Sequence, residues 1–235
     1  MKIGIFDSGI GGLTVLNEII KVHPNCEYYY FGDNINVPYG TKTKEELKTL
    51  VDRIIKFLIT KKVDMIIIAC GTVSSTIYDE LNYNLPIYDV ISSTINYINA
   101  SNYKKIGVIG TSNTIKSNIF NKKINKEIVS ASCPLLASYI ENNLNVDSLL
   151  KEYLKPIKNV DALILGCTHY PIIERQIKEF IKCPLIDMGK ILSENVYIRD
   201  GDHFKLDLYF TKVDETLKQQ ISNIINEEYN LFEVK

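Results

Sequence analysis

The chain has 235 residues, of which 46% are hydrophobic and 23% charged, and its net charge is −1. That length suits one large domain or two small ones, and it buries well over half of the unfolded surface without help from disulfides or metal. The balanced charge, with a pI near 6.3, leaves no electrostatic case for nucleic acid or a membrane surface as the main partner.

Apolar runs alternate with segments of helical period. KIGIFDSG (2–9) reads as a buried strand ending in a turn, and GGLTVLNEIIKVHP (11–24) as a helix with Leu13, Leu16, Ile19 and Ile20 on one side. CEYYYFGD (26–33) is a second strand. TKEELKTLVDRIIKFLITKK (43–62) is the clearest helix: Thr43 can cap it, Glu46 stands three positions on, and Leu47, Leu50, Ile54, Phe57 and Leu58 form a stripe. Its mixed charges, such as Lys44, Glu45, Glu46 and Lys48, read as a solvated face. DMIIIACGT (64–72) is a third strand and SSTIYDELNYN a helix. PIYDVIS, KKIGVIGTS, EIVSASCP, DALILGCTHYP, PLIDMG and DLYFT read as further strands, with helical stretches between them. Such alternation predicts right-handed βαβ units and an α/β fold of mainly parallel sheets flanked by helices.

The chain repeats itself. IGIFDSG (3–9) has a counterpart in IGVIGTS (106–112), and IIIACGT (66–72) one in LILGCTH (163–169), in the same order and at nearly the same offset. This predicts two pseudosymmetric lobes with the active site in the cleft between them. The expected boundaries lie near Ser92–Asn96 and Asp187–Lys190. Residues 1–94 and 190–235 then form the first lobe and 95–189 the second.

Ligands of open α/β sheets bind beyond the carboxyl ends of the strands. That rule selects Asp7 and Ser8; Asp33 with Pro38, Tyr39 and Gly40; Cys70, Gly71 and Thr72; Thr111 and Thr114; Cys133; Cys167, Thr168 and His169; and Asp187. No glycine-rich phosphate fingerprint is among them. The five cysteines are an odd number without C-x-x-C spacing, so they read as neither a disulfide framework nor a zinc site. No leader-like core follows Met1-Lys2 and no apolar run nears the ~18 residues of a membrane span, so the cytoplasm is the expected compartment.

Cys26 and Cys183 stand at strand starts and read as packing; Cys133, before Pro134, reads as a pocket wall. Cys70 and Cys167 each end a strand in matching places of the two halves, where free backbone N–H groups favour a thiolate. Two such cysteines could be a nucleophile with a resolver, a nucleophile with a bystander, or two acid/base groups facing one another. The last suits inversion of a stereocentre, because one proton leaves a face as another arrives opposite. No metal or cofactor is implied.

DSGIGGLTVL (7–16), GDNINVPYG (32–40), IIACGTVS (67–74), IGVIGTSNTIKS (106–117), CPLL with Glu141, and LILGCTHYP (163–171) resemble the glutamate racemase family, within the aspartate/glutamate racemase superfamily. The resemblance implies a cofactor-independent isomerase of two α/β lobes that interconverts L- and D-glutamate and supplies D-glutamate for peptidoglycan. It implies that Cys70 and Cys167 are the two bases, that Asp7 assists Cys70, and that His169 assists Cys167 with Glu141 nearby. It also implies that Asp7, Ser8, Tyr39, Gly40, Gly71, Thr72, Thr111, Thr114, Thr168 and His169 surround the amino-acid substrate. His23 and His203 receive no role, and a homodimer is the expected assembly.

Two positions depart from the family's pattern. Gly71 stands where the family normally has Asn, which removes a donor/acceptor and opens space, and Met188 stands where serine is usual. The competing expectations are therefore a racemase for aspartate or another amino acid, and a non-catalytic binding protein on the same scaffold.

Overall fold

The run IGIF is buried on both faces, as a central parallel strand must be. It forms β1 (Lys2–Asp7), in which Ile3, Ile5 and Phe6 are fully buried. The structure, a computed structural model, describes residues 1–234. After β1 come α1 (Gly12–Val22), β2 (Glu27–Gly32), α2 (Lys44–Thr60), β3 (Met65–Ile68), α3 (Gly71–Thr76), β4 (Ile87–Asp89) and α4 (Val90–Ala100). The second run is β5 (Lys105–Gly110), α5 (Ser112–Lys116), α6 (Ile119–Lys123), β6 (Glu127–Ser132), α7 (Leu136–Glu141), α8 (Asp147–Tyr153), β7 (Ala162–Gly166), α9 (Glu174–Phe180), β8 (Leu185–Asp187) and α10 (Met188–Asn195). The chain closes with β9 (Lys205–Phe210), α11 (Glu215–Ile224) and β10 (Asn230–Glu233).

Two parallel sheets result, in the orders β10-β9-β2-β1-β3-β4 and β6-β5-β7-β8. β1 and β5 hold matching central places, and the strands that precede Cys70 and Cys167, β3 and β7, flank them on the same side. One core joins both sheets: Ile3 and Ile5 of β1, Ile106 and Val108 of β5, and the buried stripes of α1, α4 and α10 belong to a single cluster. The two expected boundaries therefore fall within α4 and at the start of α10, helices packed into that shared core, not in loops. Separate clusters fill the outer faces, under α2 for the first sheet and under α7, α8 and α9 for the second.

Local chemistry sets the element ends. Thr43 Oγ1 accepts from Glu46 N–H while the Glu46 carboxylate accepts from Thr43 N–H, a full capping box at the start of α2. In PIYDVIS the strand stops at Asp89, because its carboxylate accepts from the N–H groups of Ile91 and Ser92 and starts α4. The helix expected over SSTIYDELNYN instead begins at Gly71, breaks after Thr76, and leaves only a 3₁₀ turn at Tyr78–Glu80. β10, four residues on the sheet edge with Phe232 half-exposed, carries no alternating pattern that announces it.

Candidate active site

Strand ends from both sheets open on one cavity of about 370 Å³. Asp7 and Ser8 follow β1, Cys70, Gly71 and Thr72 follow β3, Thr111 follows β5, and Cys167, Thr168 and His169 follow β7; all of them line it. Tyr39 and Gly40, from the loop after β2, and Glu141, at the end of α7, complete the wall. Both cysteines thus face a common space, one from each sheet.

On the first side, Cys70 is the N-cap of α3 and is 4% exposed. Asp7 is fully buried; its Oδ2 accepts from Gly12 N–H at 2.7 Å and from the Thr168 hydroxyl at 3.2 Å, while Oδ1 has no partner among the described groups. Burial raises the Asp7 pKa, although His169 and the Ser8 and Gly12 N–H groups pull it back. Burial, and then the negative charge of Asp7, push the Cys70 thiol well above its ordinary value. Both shifts favour the protonated forms of these two groups.

The second side is electrostatically opposite. Cys167 Sγ lies 3.7 Å from His169 Nδ1, and His169 Nε2 lies 3.4 Å from Glu141 Oε2, off the line of a hydrogen bond. Burial alone would lower the His169 pKa, but Cys167 and Glu141 together raise it well above the usual value. Burial would raise Glu141, yet His169 brings it below the ordinary carboxylate value. The His169–Glu141 pair beside Cys167 thus favours its charged form, whereas the surroundings of Cys70 favour the thiol. Cys133 is buried without lining the cavity; burial and then Cys167 push it up to about 12.

Hydroxyls connect the halves. Thr72 Oγ1 and Thr111 Oγ1 are 2.9 Å apart, and Thr111 Oγ1 is 2.9 Å from Thr114 Oγ1. Thr114 is buried behind Thr111 and holds its hydroxyl, without lining the cavity itself. Tyr39 lines the wall, but its hydroxyl donates to Asp33 Oδ2 at 2.7 Å and is not directed at a ligand. At Gly71 no open space exists where a side chain is missing: a Cβ there would lie 2.7 Å from Gly166 O and 3.5 Å from Met188 Cε. A side chain at this position would force the Gly166 backbone to shift, so in this chain the two backbones approach more closely than a Cβ allows. Met188 is 2% exposed and packs in the shared core beneath that contact.

The sequence reading missed the outer rim. Asn34, Lys212, Asp214, Thr216 and Gln220 also line the cavity, most of them from the segment after β9. The strand-end rule, applied to DLYFT, would have pointed to Lys212. It is the one Lys or Arg among the described lining residues, and its ammonium pairs with Asp214 at 3.0 Å. Among the described residues, no group of three or more His, Cys, Asp or Glu side chains could hold a metal ion, and no helix is long and apolar enough to cross a membrane.

A doubly sheeted α/β scaffold with acid/base groups from both sheets on one cleft defines a class, and comparison with known proteins identifies it. The family described as Asp/Glu/Hydantoin racemase matches residues 13–196. A glutamate racemase of a Hydrogenobaculum species is 37% identical over 98% of this chain and 95% of its own length. The crystal structure of the Francisella tularensis glutamate racemase in complex with D-glutamate has a TM-score of 0.88 at 34% identity, over 100% of this chain and 97% of that one. The Aquifex pyrophilus glutamate racemase structure has a TM-score of 0.84 at 36% identity, over 98% and 97%. The chain belongs to the glutamate racemase family.

Proposed function

We propose that the chain interconverts L- and D-glutamate by moving the Cα proton between Cys70 and Cys167. One observation carries the reading: two buried cysteines at equivalent strand ends of two sheets share one cavity, with opposite electrostatic settings. In one direction Cys167, beside the His169 imidazolium, takes the proton from one face of Cα. The electron pair left on carbon is delocalised into the adjoining carboxylate, and the neutral Cys70 thiol delivers its proton to the opposite face. Cys167 is then a thiol and Cys70 a thiolate, the state that runs the reverse reaction. Asp7 and the His169–Glu141 pair can exchange protons with the thiols between turnovers.

Substrate carboxylates would be held by the hydroxyls of Ser8, Thr72 and Thr111 and by backbone N–H groups near Gly40 and Gly71, all on the wall, while the Thr168 hydroxyl stays on Asp7. The Lys212 ammonium stands at the rim, paired with Asp214. The reading carries further parts: no pyridoxal cofactor, residues 1–94 with 190–235 and 95–189 as the two lobes, a homodimer in the cytoplasm, and D-glutamate destined for peptidoglycan. Incubation of L-glutamate and L-aspartate in D2O, with proton NMR at Cα and chiral chromatography, tests it. Glutamate should lose its Cα proton and reach equal amounts of both enantiomers. Exchange of aspartate with none of glutamate would overturn the substrate, and exchange of neither would overturn the activity.

A further inference from the structure

Glu141 and His169 both belong to the half of the chain built on the second sheet, yet what fixes them comes from the first. Glu141 Oε1 faces the Ile10 N–H at 3.5 Å, and the Glu141 carbonyl accepts from the Gln220 side-chain amide, which reaches across from α11. The loop between β1 and α1 is pressed against the pair. A Cβ on Gly9 would collide with Glu141 Oε1, and a Cβ on Gly11 with the His169 ring and, at 2.5 Å, with Thr168 Oγ1. The Glu141–His169 contact itself is 3.4 Å and misaligned, so it does not orient either partner on its own. The seat does that work: bare backbone on one side and the Gln220 amide on the other.

Resting on the racemase reading above, we propose that Gly9, Gly11 and Gln220 are positioning residues that hold Glu141 against His169 and so keep the His169 ring beside Cys167. Beyond Glu141, the ionisable groups facing His169 are Cys167 on its own segment and Asp7 from β1, with the buried Tyr30 of β2 behind Asp7. Asp7 is itself fixed by Gly12 and Thr168, so displacing Glu141 changes one neighbour of His169 and leaves the others in place. No other charged side chain of α11 is needed for this clamp; Gln220 works through a neutral amide.

The test uses the full chain carrying Gly9→Ala or Gln220→Leu. In Gly9→Ala the new methyl meets the free end of the Glu141 side chain, which can swing aside without moving backbone; Gln220→Leu, at a half-buried position of α11, loosens the same seat without adding bulk to the β1–α1 loop. The first readout is the NMR titration of the His169 imidazole. Its midpoint should fall in each variant, because the opposite charge beside the ring is no longer held there. The second readout is the primary isotope effect with Cα-deuterated D- and L-glutamate. Slowing only the Cys167 step should raise the effect for one enantiomer and lower it for the other, whereas general loosening moves both together. An unchanged His169 midpoint, or isotope effects that move in parallel, overturns the inference. A wild-type chain that racemises no glutamate counts against the function, and the imidazole titration still decides the positioning role.

Discussion

Tyr39→Phe separates two roles for one hydroxyl. Asp33 is fully buried, and its carboxylate accepts from Tyr39 at 2.7 Å, from Asn36 Nδ2 at 2.9 and 3.0 Å, and from Arg53 at 3.1 Å. This cluster pins the loop that carries Tyr39 and Gly40 to the cavity wall. A hydrogen bond to a charged group contributes about 1.5–3 kcal/mol. A chain of this size loses about 2–4 °C of melting temperature per kcal/mol, so the variant should melt roughly 3–12 °C lower. Because the hydroxyl points at Asp33 and not into the cavity, KM for glutamate at 25 °C should stay within about threefold of wild type. A hydroxyl that bound a substrate carboxylate would instead raise KM roughly 10- to 150-fold. Circular-dichroism melting and initial-rate racemisation assays measure both. An unchanged melting temperature with a tenfold or larger rise in KM would refute the assignment of this hydroxyl to Asp33.

Gly71→Asn should lower both stability and glutamate turnover, because its Cβ lies 2.7 Å from Gly166 O. Overpacking of this kind costs about 1–3 kcal/mol, and a gain in turnover would contradict the close approach. Thr43→Ala should cost about 1 kcal/mol through the lost cap of α2, read by urea denaturation, with kcat unchanged. The His169–Glu141 pair gives a pH signature. Glu141 is lowered from 4.5, so its contribution to stability is present above that value and lost as pH falls through the folded pKa; His169 is raised from 6.5, so its contribution is complete below 6.5 and lost as pH rises through the folded pKa. The gap in unfolding free energy between wild type and His169→Asn should be widest between pH 4.5 and 6.5 and shrink above it; a gap that grows from pH 6.5 to 9 would reverse the sign.

The strands and their parallel class were legible because parallel strands are apolar on both faces, and IGIF, IIIA, IGVIG and LILG stand out from everything around them. The matched cysteines were legible for the same reason, since each closes such a run. What sequence could not supply was direction and distance. Tyr39 has a hydroxyl, and only coordinates show it spent on buried Asp33. Gly71 reads as a missing side chain until Gly166 is found against it. Lys212 and Gln220 reach the cavity from a segment far along the chain, where β9 returns beside β2, a pairing that no local pattern encodes. Asp89 hid the end of β4 because an N-cap inside an apolar run looks like one more strand residue.

Exchange and inversion of glutamate in D2O by Cys70→Ala and by Cys167→Ala are the most direct measure of a proton handed between two thiols. Each single variant should lose racemisation by more than about a thousandfold, with neither able to equilibrate the enantiomers. Near-wild-type racemisation by either one would mean that a single base serves both faces.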